Sequence, residues 1–190
     1  GDGNVDGTYL WDRVLDTFTI LPAEGLDAVG VSNNGKFIVG DMLNPEGDGS
    51  EVAGRWNETT NTWESLGYLP NALQCPSRRN SYEITATGNK VVGLSWDGCS
   101  GRGFQWTGTG GMEELESLAN GSNRASVVTS DGTLIGGFAQ GSFSRTPATW
   151  DDTTVGTLLD PPTGDAVGEV HGLRDDGSVL LGNWNEEAYK

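Results

Sequence analysis

The chain has 190 residues, of which 35% are hydrophobic and 30 are glycine. This suits one medium-sized domain with a packed core and excludes a disordered chain. Eleven Lys+Arg against 27 Asp+Glu give a formal net charge of −16, which argues against docking on nucleic acid or inserting at an anionic membrane, since both need a cationic face. A lone histidine removes most metal-hydrolase ligand sets.

No stretch approaches the roughly 18 consecutive apolar residues of a membrane helix. No secretory leader is recognisable and the chain opens on glycine, so it is expected to be mature, trimmed or partial. The first residues, Asp2-Gly3-Asn4-Val5-Asp6-Gly7, match the opening half of a calcium loop, with oxygen ligands at alternate positions followed by a turn glycine. The closing acid is missing, because position twelve of that frame is Arg13. Asp2, Asn4 and Asp6 are therefore either a partial calcium site completed from elsewhere or an ordinary polar turn.

The chain then repeats itself. An ungapped block runs from Ala28 to Gly40, from Ser81 to Gly93, from Ala125 to Gly137 and from Val170 to Gly182, at spacings of 53, 44 and 45 residues. Each copy places an apolar residue (Val31, Ile84, Val128, Leu173) four positions before a fixed glycine (Gly35, Gly88, Gly132, Gly177), with a second glycine five positions later. A strand-like segment ending in tryptophan precedes each block, at Trp11, Trp56, Trp106 and Trp150. An apolar-x-x-Leu step follows it, from Phe18 to Leu21, Leu66 to Leu69, Leu115 to Leu118 and Val155 to Leu158.

One unit thus reads as strand a ending in Trp, strand b ending in Leu, strand c, a tight turn and strand d. Asn34-Gly35, Asp131-Gly132 and Asp176-Gly177 are hairpin signals of the two-residue type, in which both central residues take positive φ. The run from Met112 to Ala119 has helical spacing taken alone. It aligns without a gap on Trp63 to Pro70, a poor helix, so the repeat predicts a strand.

Four short strands recurring every 45 residues or so predict an all-β, propeller-like array of about four four-stranded blades, alone or as part of a larger propeller; a β-helix or a sandwich is the alternative. Residues 1–190 form one repeat domain, with approximate units 7–43, 51–96, 102–140 and 146–184.

Gly103-Phe104-Gln105-Trp106, Leu66-Gly67-Tyr68-Leu69 and Val128-Thr129-Ser130-Asp131-Gly132-Thr133-Leu134-Ile135-Gly136-Gly137 resemble the HAF repeats of extracellular bacterial proteins, whose pattern is aromatic-x-Trp, Leu-Gly-x-Leu, then Ile-Ser-x-Asp-Gly-x-x-Val-Gly. The resemblance spans about residues 7–182. The alanine-phenylalanine pair of the pattern is never complete, and Arg174 stands where Ser is expected. It implies a propeller-like protein that is secreted or displayed on a bacterial surface, and it implies no reaction.

In an a-b-c-d meander the b–c and d–a connections emerge on one face. Cys75 lies in a b–c connection and Cys99 in a d–a connection at the same end of one c–d hairpin, so a disulfide is geometrically reasonable, with two free thiols as the alternative. Such a bond would contribute roughly 3 kcal/mol and agrees with an oxidising compartment. The same face collects Asp41, Glu46, Asp48, Glu51, Asp97, Asp165, Glu186 and Glu187, with Arg78, Arg79 and Arg124 as its cations. It is either a solvated acidic surface or a binding face.

Trp96 and Trp184 stand where strand d leaves the sheet. With Asp97, Asp48, Arg78 and Arg79 they form a candidate ligand face, since indoles beside polar groups stack on sugar rings. Half-buried strand ends are the other reading. Trp11, Trp56, Trp106 and Trp150 recur in phase and are expected to pack between blades, and His171 to pack in strand c. No catalytic residue or cofactor-binding motif is evident.

The sequence therefore favours an extracellular interaction or structural module whose partner is a protein, a glycan or another copy. A carbohydrate-active enzyme with paired carboxylates and a calcium-stabilised surface or matrix component are the alternatives. Calcium bound only to the folded form must raise its melting temperature, so melting curves with and without a chelator are expected to separate if Asp2, Asn4 and Asp6 hold the ion, and to coincide if they form a plain turn.

Overall fold

The computed structural model describes residues 7–69, 79–97, 100–141, 145–159, 167–184 and 187–189. Asp2, Asn4, Asp6, Cys75, Arg78 and Cys99 lie outside them, and with them the calcium turn and the disulfide. All the regular structure among the described residues is β.

The chain opens with a hairpin of β1 (Tyr9–Asp12) and β2 (Thr17–Ile20). Three four-stranded antiparallel sheets follow. They are β3 (Gly25–Val31), β4 (Phe37–Leu43), β5 (Glu51–Asn57) and β6 (Thr62–Ser65); β7 (Arg79–Ile84), β8 (Lys90–Asp97), β9 (Ser100–Thr107) and β10 (Gly111–Glu114); and β11 (Asn123–Val128), β12 (Leu134–Gln140), β13 (Arg145–Asp151) and β14 (Gly156–Leu158). A three-stranded sheet of β15 (Gly168–Leu173), β16 (Leu180–Trp184) and β17 (Glu187–Tyr189) ends the series.

Each sheet is a simple meander in strand order, but its phase differs from that of the sequence unit. The c–d hairpin of one unit joins the a–b hairpin of the next, as β3–β4 joins β5–β6. The first hairpin is accordingly an a–b pair alone, and the last sheet is c–d–a. The segment from Met112 is a strand only through Glu114; residues 115–118 leave the sheet without helical structure.

Both fixed glycines have a physical cause. Gly35, Gly88, Gly132 and Gly177 have φ of 71°, 78°, 79° and 68°, the left-handed region. The preceding Asn34, Asp131 and Asp176 do not share it, so these are not two-residue turns of the primed type. The Gly35 N–H donates to the Ser32 carbonyl at 2.8 Å and the Ser32 N–H to the Phe37 carbonyl at 2.9 Å, closing a longer loop around an ordinary turn with a left-handed glycine at its end. The Asx side chain caps the loop instead: Asn34 Oδ1 accepts from the Lys36 N–H, and Asp131 and Asp176 accept in the same way from Thr133 and Ser178.

The second glycine answers a bulge. The c–d register slips at Val29, Tyr82, Ser126 and His171, the same position in every copy, and in β3 a second time at Leu26. The bulge drives the carbonyl of Asp27, Asn80 or Arg124 against Gly40, Gly93 or Gly137, where any Cβ would clash with that oxygen.

The core lies between sheets. Trp56 (2% exposed), Trp106 (7%) and Trp150 (0%) all turn toward the preceding element in the series. Trp56 packs with Ile38, Val52, Trp63 and Leu21; Trp106 with Val39, Ala53, Leu66 and Ile84; Trp150 with Val92, Leu115 and Ile135. The Trp150 indole also donates to the Glu116 carbonyl, just beyond β10 of the sheet before it, at 2.9 Å.

The c strands β3, β7, β11 and β15 neighbour one another in turn along the edge where the sheets converge. Their turns are tied together by Ala86 N–H donating to the Ser130 carbonyl at 3.0 Å and Ser130 Oγ to Asp175 at 2.6 Å.

Replacing a fully buried indole removes both its transfer energy and its packing. Trp150→Ala is expected to cost about 3–5 kcal/mol, and Trp11→Ala less than about 1 kcal/mol because Trp11 is 49% exposed. Paired urea denaturation curves measure the difference.

Candidate functional site

Three regions present chemistry beyond packing. The first is the converging edge of the c strands. One position before each repeat block carries Asp27, Asn80, Arg124 and Glu169, and the bulge position carries Val29, Tyr82, Ser126 and His171.

The Arg124 guanidinium lies between the rings of Tyr82 and Phe138, 5.1 and 5.0 Å from their centroids. It grips Glu169 with three charge-assisted contacts, Nη2 to Oε1 at 2.6 Å and to Oε2 at 2.5 Å, and Nε to Oε1 at 3.2 Å. The Ser126 hydroxyl also donates to Glu169. This pairing holds the Arg124 pKa above its usual value against the opposing effect of burial. Both carboxylate oxygens of Glu169 are therefore occupied.

His171 is exposed, a correction to its expected packing role: the bulge turns the ring outward, where Nε2 meets Asn183 Oδ1 at 2.8 Å. The Ser126 hydroxyl, which donates to Glu169, accepts from Arg124 Nε at 3.2 Å.

Asp41 also departs from expectation. It sits within β4, 9% exposed, rather than in an acidic loop, and Asn80 Nδ2 donates to its Oδ2 at 2.6 Å. Burial is the largest influence on it, with the Glu51 and Asp27 charges acting the same way; its pKa is raised to about 6. Burial raises Glu83 as well.

The proposed ligand face is only partly assembled. Trp184 is 7% exposed, a correction to any reading of it as a free stacking platform: as the last residue of β16 it pairs across the sheet with Gly168 and Glu187. Trp96 is half-buried, paired with Gly101. Arg79 and Asp97 are the first residue of β7 and the last of β8, at one end of the same hairpin that Cys75 and Cys99 flank in sequence. Asp48 is fully exposed in the β4–β5 connection, where the Ser50 hydroxyl and N–H bond it at 2.6 and 2.9 Å and hold its pKa low. It stabilises its own turn.

The second region lies at the opposite end of the strands. A cavity of about 540 Å³ opens between the second and third strand groups, lined by Phe37, Arg55, Asn57, Asn89, Thr107 and Thr109. Arg55 stacks between Phe37 and Trp106 at 4.6 and 4.5 Å, and donates to the Gly88 carbonyl at 2.6 Å.

The third region is apolar and open. Tyr9, Trp11, Phe18 and Ile20 project from one face of the β1–β2 hairpin, because Tyr9 pairs with Ile20 and Trp11 with Phe18 across it. They are 61%, 49%, 63% and 68% exposed. Trp11 and Phe18 stack at 5.7 Å with 7° between their planes, and Phe18 meets Tyr9 edge-on at 5.8 Å. Leu10, on the other face, packs against the core of the next sheet. Val31 on β3 is also exposed, at 52%, whereas its counterpart Ile84 is 5% exposed. The repeat marked Trp11 as a packing residue; the structure places it on the surface.

Asp41 gives a pH signature. Its folded pKa lies above the unfolded value of 3.8, so its contribution to stability is full below 3.8 and is lost as pH rises through about 6. Asp41→Asn is expected to gain stability over wild type as pH rises through that window, read as the difference in melting temperature between the two proteins. A constant difference would place Asp41 in solvent.

No protein-family model matches the chain, and no curated protein matches it. Solved structures do match in fold. A TolB from Acinetobacter baumannii aligns over 94% of this chain and 45% of its own length, at 18% identity and a TM-score of 0.59. A TolB candidate from Agrobacterium tumefaciens aligns over 97% and 74%, at 11% identity and 0.63. A structure from a study of two prolyl endopeptidases aligns over 94% and 28%, at 9% identity and 0.63. The chain thus spans less than half the length of the first of these. Its fold is that of a β-propeller.

Proposed function

We propose that this chain is a propeller module that docks a protein partner, working outside a bacterial cell as the resemblance to HAF repeats implies. The observation that carries the reading is the exposed quartet Tyr9, Trp11, Phe18 and Ile20. Contiguous aromatic surface of this kind marks interaction sites on soluble proteins, and rigid rings offer contact area at low entropic cost. The surrounding charge of −16 favours solubility and selects against anionic partners. The Cys75–Cys99 bond and a calcium ion at Asp2, Asn4 and Asp6 belong to the same proposal as stabilisers suited to an extracellular site.

A glycan is the second reading, favoured by the cavity whose lining combines the Phe37 ring with the amides of Asn57 and Asn89 and the hydroxyls of Thr107 and Thr109.

A photo-crosslinking benzoylphenylalanine at position 18, introduced in the source organism and followed by mass spectrometry, tests the first reading. It is expected to give a defined protein adduct that the same group at exposed Glu58 does not give. Equal labelling from both positions, or none from position 18, would contradict it.

A further inference from the structure

We propose that the cavity between the β3–β6 and β7–β10 sheets selects uncharged sugars over acidic ones, because the Arg55 guanidinium on its wall is already paired with Glu64; this rests on the glycan reading of the cavity given above. The repeat shows why a gap exists at this interface. At the next one, between the β7–β10 and β11–β14 sheets, Lys90 stands in the place of Phe37 and Gln105 in that of Arg55. Lys90 Nζ donates to the Gly132 carbonyl at 2.8 Å and Gln105 Nε2 to the Asp152 carbonyl at 3.2 Å, so two side chains tie one sheet to the turns of the next.

Arg55 makes one such tie, to the Gly88 carbonyl at 2.6 Å. The counterpart of Asp152 is Gly108, and the space there is open: a Cβ at Gly108 would meet only the Trp106 ring, at 3.8 Å. The resulting cavity of about 540 Å³ has the size of a small-molecule site.

Its polar groups suit hydroxyls. Asn57 Oδ1 accepts from the Thr59 N–H at 2.9 Å, which leaves the amide NH₂ to donate. Thr107 Oγ1 accepts from the Gly110 N–H at 3.0 Å, which leaves its O–H to donate. Asn89 and Thr109 are exposed, and among the described residues no hydrogen bond engages their side chains.

Charge then decides between sugars. Arg55 commits Nε and Nη2 to Glu64 Oε1 at 2.7 and 2.6 Å, and Nη1 to Gly88, so further N–H groups of the fork stay available while its charge is cancelled. Among the described residues that line the cavity, Arg55 is the one cation. A ligand carboxylate brought to it would lie beside Glu64, and like charges so placed repel. A sugar hydroxyl accepts from the same N–H groups without that cost.

Isothermal titration calorimetry tests this, with cellotriose, maltotriose and tri-N-acetylchitotriose as neutral probes and trigalacturonate as the acidic one. At least one neutral probe is expected to bind wild type, and trigalacturonate is not. Combining Asn89→Ala with Thr109→Ala is expected to weaken that binding about tenfold, as the loss of two neutral hydrogen bonds requires, with an unchanged melting temperature because both side chains are exposed. Glu64→Gln keeps the shape of the acceptor and frees the Arg55 charge, so it is expected to admit trigalacturonate and to leave the neutral affinity as it was.

Neutral binding undiminished in the Asn89 and Thr109 double variant would place the sugar elsewhere and overturn the proposal. Trigalacturonate that binds wild type as tightly as the neutral probes, or that fails to bind Glu64→Gln, would remove the charge selection and leave the glycan reading standing. Binding of none of the four probes to wild type would remove both.

Discussion

A small antiparallel sheet with apolar side chains on both faces cannot bury itself, and everything else in this molecule follows from that. Each four-stranded sheet here supplies an indole on one face and aliphatic side chains on the other, so burial is complete only between neighbours. The d strands show this most clearly: β4 and β12 are buried along almost their whole length because they are covered on both faces and paired on both edges. The converging c strands then need a sharper bend than a regular ladder allows. A bulge at the same residue in every copy supplies it, and the second fixed glycine makes room for the carbonyl that the bulge displaces.

Much of this was legible in the residues, and the exceptions have definite causes. The period, the strand content and the in-phase tryptophans could be read directly, because buried positions repeat when their environment repeats. The division into sheets could not: a, b, c and d recur with the same period wherever the cut is made, and only hydrogen bonding shows that β4 pairs with β5 and so joins two sequence units. The turn chemistry misled for a related reason. Asn-Gly and Asp-Gly mark both a two-residue hairpin and a longer turn ended by a left-handed glycine, and the side chain at Asn34 caps the loop while its backbone stays on the ordinary side of φ.

The polar edge was missed because the residue type at its fixed position varies between copies. Asp27, Asn80, Arg124 and Glu169 share no chemistry in an alignment and look like solvated surface. Placed side by side on converging strands, Arg124 and Glu169 complement one another, and Asn80 donates to Asp41 of β4. Placing the c strand at the inner edge would have turned that variability into a signal. Of the two readings of Trp184 the covered strand end holds, whereas His171 leaves its expected packed environment because the bulge turns the imidazole out.

The central claim is that stability comes from contacts between sheets rather than from within them, and amide hydrogen exchange read by mass spectrometry tests it most directly. The account predicts the strongest protection in β8 and β12, covered on both faces, and rapid exchange in β1 and β2, although the latter form a regular hydrogen-bonded hairpin. Protection of the first hairpin equal to that of the central sheets would show that local pairing suffices, and would contradict the account.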